Sequence, residues 1–121
     1  MRRLTILLVL ALLAVAGCGG DDEKASGSGE KLTLAADAGA LKFDRSELTA
    51  KPGKVTITMD NPSDIPHAVS IEGNGVDVDG KTVGNGETST ASTDLKPGTY
   101  TFYCPVPGHE AAGMKGTLTV N

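Results

Sequence analysis

The sequence contains no tryptophan, and only two tyrosines and two phenylalanines. Lys and Arg number 11 against 15 Asp and Glu. With so few rings to stack on bases and no basic patch, a nucleic-acid surface is excluded. No stretch beyond the N-terminus sustains a helical period, so nothing points to a helical bundle. Long apolar runs are also missing, with one exception. Leu4 to Val15 carries no charge, but it is short of the ~20 residues needed to span a bilayer. Arg2 and Arg3 precede it, and Val15-Ala16-Gly17-Cys18 follows as a small-residue cleavage site ending in cysteine. This reads as a bacterial lipoprotein signal over 1–17, with Cys18 the lipidated first residue of the mature chain. An ordinary signal peptide would leave Cys18 incidental; in both cases the domain is exported. The lipid would hold it on the extracytoplasmic side of the cell membrane, in the periplasm or at the cell exterior.

Without Arg2 and Arg3 the formal charge falls from −4 to about −6, an acidic surface suited to solubility and a basic partner. Cysteine is scarcer still. With Cys18 lipidated, Cys104 stands alone in an oxidising compartment, and a leftover thiol there asks for a reason such as metal ligation.

Residues 18–31 form a flexible linker behind the lipidated cysteine. From Gly19 the linker has no apolar residue larger than Ala, so it can build no core. From Leu32 to the end, 32–121, the pattern turns to period two. Leu32-Thr33-Leu34, Val55-Thr56-Ile57-Thr58-Met59 and Thr117-Leu118-Thr119-Val120 alternate. His67, Val69 and Ile71 share one face of a further run, as do Tyr100, Phe102 and Cys104 of another. Short alternating runs separated by Gly, Pro, Asn and Asp predict an all-β fold, an antiparallel sandwich or barrel. Asp79-Gly80 reads as the turn of a hairpin.

Two motifs in the Gly- and Asp-rich middle are set aside on physical grounds. Gly75 to Thr82 matches the phosphate-loop pattern G-x-x-x-x-G-K-[ST]. Asp77 and Asp79 would sit among the phosphates, and Val83-Gly84-Asn85-Gly86 cannot open the helix that holds the anion. Asp77, Asp79 and Glu87 suggest a calcium loop only loosely, because the helical flanks are missing. Asn61-Pro62-Ser63 is no glycosylation acceptor, since proline fills its middle position.

The chemistry gathers in Tyr103-Cys104-Pro105-Val106-Pro107-Gly108-His109-Glu110-Ala111-Ala112-Gly113-Met114. Cys104, His109 and Met114 follow C-x4-H-x4-M, so one loop can wrap three sides of an ion. Pro105 and Pro107 restrict φ, and Gly108 and Gly113 permit tight turns beside the ligands. The only other histidine, His67, would enter from a neighbouring strand. Taken singly, each residue has an inert reading: a small buried thiol, a core histidine, a surface histidine, core filler. Together they use both histidines and the only free thiol. Two His, one Cys and a weak axial Met are the ligand set of a mononuclear blue-copper electron-transfer site.

Gly98 to Cys104, with His109, Met114 and the closing Gly116 to Val120, resembles the C-terminal half of plastocyanins, within the wider cupredoxin family. The Cys-to-His spacing is closer to that of azurins and auracyanins. The resemblance implies an eight-stranded Greek-key antiparallel β-sandwich with one type 1 copper ion near one end. His67, Cys104 and His109 would lie around copper, with Met114 long and axial. It further implies that His109 is the ligand nearest solvent, collared by Ile65, Pro66, Val106, Pro107 and Ala111, where a redox partner protein (a cytochrome, oxidase or reductase) would dock on a monomer. Tyr103, facing outward beside Cys104, is a candidate second electron route, the alternative being an aromatic that simply sits on the sheet surface. One departure stands out: the position after the first histidine, often Asn in the family, is Ala68, which removes a side-chain tie between the ligand loops. Its backbone N–H can still donate to the Cys104 sulfur. A catalytic copper would need more histidines and a binuclear centre a second loop cysteine, so an enzyme is not expected. The alternative is a copper-trafficking or copper-storage lipoprotein using the same ligands.

Overall fold

The computed structural model describes residues 29–121. The signal, Cys18 and the linker up to residue 28 therefore lie outside the described residues. Eight strands follow: β1 (Glu30–Ala35), β2 (Glu47–Ala50), β3 (Gly53–Asp60), β4 (Ser70–Gly73), β5 (Val76–Asp79), β6 (Thr88–Leu95), β7 (Gly98–Tyr103) and β8 (Lys115–Val120). They make a three-stranded sheet, β1-β3-β6, and a five-stranded sheet, β2-β8-β7-β4-β5. The all-β sandwich is the one that the alternation and the resemblance imply. Two pairings depart from an antiparallel arrangement: β1 with β3 and β2 with β8 run parallel. Both place an N-terminal strand at a sheet edge, joined by connections that cross between sheets. β1 also begins at Glu30, two residues inside the stretch read as linker. As an edge strand, β1 can hold Glu30 and Lys31 by backbone pairing with Val55 and Thr56, without an apolar anchor.

The period of two sets the core. Val55, Ile57 and Met59 of β3 are fully buried, while Thr56 and Thr58 between them are half-buried. Leu34, Ile71, Ala91, Leu95, Tyr100, Phe102, Leu118 and Val120 complete the layer between the sheets. Phe102 packs on Phe43 with ring centroids 5.7 Å apart, a tilted contact typical of aromatic pairs.

The β4–β5 hairpin turns at Asn74-Gly75, not at Asp79-Gly80. Gly73 pairs with Val76, which leaves two loop residues, and these have φ of 49° and 83°. A two-residue loop whose turn twists with the strands needs both residues left-handed, which Asn-Gly supplies at low cost. Gly80 serves a different purpose. Its N–H donates to the Val69 carbonyl (2.8 Å), and a Cβ there would meet that oxygen at 2.5 Å. Of the phosphate-loop pattern, Gly75 thus lies in the hairpin turn, Val76 to Asp79 form β5 and Gly80 to Thr82 run on beyond it, with no helix following them.

Pairing of β4 with β7 fixes where the ligands emerge. Ser70 faces Tyr103, so the residues just before Ser70 and just after Tyr103 leave the sheet side by side. Those residues include His67 and Cys104.

Candidate metal centre

His67 does not belong to a strand in the sense the alternation suggested. β4 starts only at Ser70, and His67 to Ile71 are all buried, with no alternation of faces. The main chain of His67 itself is instead held by one isolated bridge. His67 N–H donates to the Val83 carbonyl (3.1 Å), and Val83 N–H donates back to the His67 carbonyl (2.8 Å).

The other residues come from the β7–β8 loop, which is braced by its own backbone. Cys104 N–H donates to the Met114 carbonyl (3.0 Å), closing the loop at its base. Met114 N–H and Ala112 N–H both donate to the His109 carbonyl, and His109 N–H donates to Val106 (3.0 Å). Gly108 and Gly113 take φ of 85° and 112°, values at which a Cβ would be strained. The glycines flanking His109 and Met114 thus turn the chain as the sequence predicts.

Three donor atoms converge. His67 Nδ1 lies 3.2 Å from His109 Nδ1, and Cys104 Sγ lies 3.9 Å and 3.5 Å from these two nitrogens. A point equidistant from all three falls inside the triangle, about 2.1 Å from each atom. Bonds from nitrogen and sulfur ligands to a metal such as zinc are ~2.0–2.3 Å long. The residues therefore fit a single metal ion without moving. His67 and Cys104 are fully buried, and His109 is 9% exposed. Burial, and then the neighbouring charge of His109, push the His67 imidazole below its ordinary pKa. That favours the neutral ring, the form that ligates a metal. Met114 is fully buried at the end of the same loop. Ala68 N–H points at the Cys104 sulfur (3.5 Å), the backbone contact expected despite the missing side-chain tie.

The match to other proteins agrees with this geometry. Residues 30–121 fit the model of the family described as copper binding proteins, plastocyanin/azurin family. The chain belongs to that family. It is 32% identical to the plastocyanin of Nostoc punctiforme over 133 aligned residues, covering 99% of this chain and 94% of that protein. It is 37% identical to a chloroplastic plastocyanin of Oryza sativa subsp. indica, covering 76% of this chain but 63% of the longer rice protein. Among solved structures it resembles dithionite-reduced auracyanin from Roseiflexus castenholzii. The TM-score is 0.69 at 28% identity, over 78% of this chain and 99% of that one. Family membership and the donor triangle make this a copper-binding cupredoxin rather than an enzyme, with a type 1 site built on His67, Cys104 and His109.

Around the centre, Ile65 is 39% exposed, the one exposed large apolar side chain among the described residues. Pro66, Pro107 and Ala111 are exposed and Val106 half-buried, so all five collar residues reach the surface. Tyr103 is half-buried, and its hydroxyl donates to Asp77 (3.4 Å). Burial, and then the charges of Asp77, Asp79 and Glu72, push its phenol up to about 12, so it stays protonated at neutral pH. Asn61, Ser63 and Val83, which hold the segment leading to His67, are functional residues that the ligand motif does not reveal. An Asx turn was the available signal: Asn61 Oδ1 accepts Ser63 N–H (3.0 Å), the pattern of an Asn two residues ahead of its partner.

Proposed function

We propose that the protein is a membrane-anchored one-electron carrier, with Met114 as a weak axial ligand completing the His67, Cys104, His109 set. The observation that carries this reading is the enclosure of the three donors within a loop braced by its own hydrogen bonds, with only the edge of His109 near the surface. Bound copper would supply a Cu(II)/Cu(I) couple, one electron per cycle. The chain's own residues do the rest. The backbone bonds among Cys104, His109 and Met114 resist rearrangement, so both oxidation states meet nearly the same donor positions. Ala68 N–H stabilises negative charge on the sulfur and so tunes the potential. The apolar surface of Ile65, Pro66, Val106, Pro107 and Ala111 around His109 suits brief docking of a redox partner protein, and weak encounters of this kind use small interfaces.

Cyclic voltammetry of the copper-loaded protein tests the carrier role. A reversible one-electron wave that persists over repeated cycles is expected. Loss of copper to a chelator on reduction would favour trafficking or storage instead. The anchor is read from the sequence around Cys18. Metabolic labelling with a radioactive fatty acid should mark the wild-type protein and leave Cys18→Ala unlabelled and unprocessed. Label on both proteins, or on neither, would remove the lipid anchor at Cys18.

A further inference from the structure

A metal-ligating histidine is usually aimed by a hydrogen bond from its second ring nitrogen to a carbonyl or carboxylate. His67 has none among the described residues: its Nε2 is buried and meets no protein partner. The residue that follows, Ala68, offers no side-chain tie. The ring nonetheless points its Nδ1 at the other two donors. The restraint must then come through the main chain, and the main chain of His67 hangs from Val83.

We propose that Asn61 is the positioning residue for His67, acting through the Val83 and Ile65 carbonyls. This rests on the copper-site reading above. One N–H of the Asn61 amide donates to the Val83 carbonyl (3.0 Å), the same oxygen that receives the His67 N–H. The other donates to the Ile65 carbonyl (2.9 Å), two residues ahead of His67. The amide oxygen accepts from Ser63 N–H (3.0 Å) and Ser63 Oγ (2.7 Å). A primary amide has two donors and two acceptor sites, so the side chain is fully used. It is also 1% exposed. Its own backbone is fixed as well, donating to Glu87 (3.0 Å) and accepting from Gly86 (2.7 Å). The buried side-chain amide thus fastens the approach to His67 and the strap that carries His67, while the main chain of Asn61 holds the segment leading into β6. Ser63 Oγ, its one proton given to Asn61, accepts Ile65 N–H (3.2 Å).

A residue that only stiffened the loop would act the same way as Asn85. Asn85 donates to the carbonyls of Pro62 and Ser63 from the solvent side, touching neither Val83 nor Ile65. The experiment compares Asn61→Ala, Ser63→Ala and Asn85→Ala in the copper-loaded protein, measuring copper release to a chelator and the Cu(II) hyperfine splitting. Asn61→Ala should release copper about 10-fold faster or more, as losses of supporting contacts do, and its splitting should widen. Ser63→Ala should shift both in the same direction by less, and Asn85→Ala should match wild type. Asn61→Ala with unchanged release and splitting would overturn the proposal. So would equal effects from Asn61→Ala and Asn85→Ala. Should Asn61→Ala not fold, Ser63→Ala decides alone, and wild-type behaviour in it counts against the proposal. Amide exchange in the metal-free protein separates this from the copper reading. His67 and Val83 N–H should lose protection in Asn61→Ala whether or not the wild type takes up copper, and retained protection there also overturns it.

Discussion

Cys104→Ser is expected to abolish the intense visible absorption of the copper-loaded protein while leaving the fold in place. That absorption arises when a thiolate shares charge with Cu(II), and a serine hydroxyl is too hard a donor to replace it. Among the described residues Cys104 is the one thiol: it is fully buried, and its sulfur contacts both imidazoles and Ala68 N–H. The side chains differ by one atom, so the buried volume hardly changes and the sandwich should persist by circular dichroism. Undiminished colour in the serine variant would remove the sulfur from the site.

Gly116→Ala should be the most destabilising small substitution in the β7–β8 pair. Gly116 lies opposite Phe102 in the register, and a Cβ there would run into the Phe102 ring and approach the Ser46 carbonyl at 2.5 Å. Neither neighbour yields easily. Phe102 is fully buried against Phe43, and the Ser46 carbonyl is held by Thr117 N–H (2.9 Å). Overpacking of this kind costs about 1–3 kcal/mol, and one contact with a buried ring plus one with a fixed backbone carbonyl place this case near the upper end. For a domain of this size each kcal/mol lowers Tm by ~4–8 °C, so a fall of about 10 °C or more is expected in thermal unfolding. A fall under about 4 °C, less than 1 kcal/mol on that scale, would mean that the ring can swing aside.

What was legible in the sequence was local chemistry. The Cys104, His109 and Met114 spacing, the glycines beside the ligands, and the alternation of β3 and β8 depend on neighbours within a few residues. The composition therefore displays them directly. What was not legible was pairing. Asn74-Gly75 and Asp79-Gly80 are both acceptable turns, and only the register of Gly73 with Val76 chooses between them. His67 sits in a run that looks like a strand, yet both faces of that run are covered by segments far away in the chain, so its alternation carries no information. The parallel pairings of β1 and β2 at the sheet edges are set by crossing connections rather than by any motif. Asn61 is not legible as a positioning residue, because a polar residue before proline reads as a turn. Its burial against Val83, 22 residues on, is a tertiary fact.

Electron carriage by this protein requires one metal ion among His67, Cys104 and His109. Crystals of the copper-loaded protein, with data collected at the copper absorption edge, measure this directly. A single anomalous peak is expected about 2.1 Å from His67 Nδ1, His109 Nδ1 and Cys104 Sγ, the point equidistant from the three donors. A peak elsewhere on the surface, or crystals of loaded protein with no density between those three atoms, would contradict it.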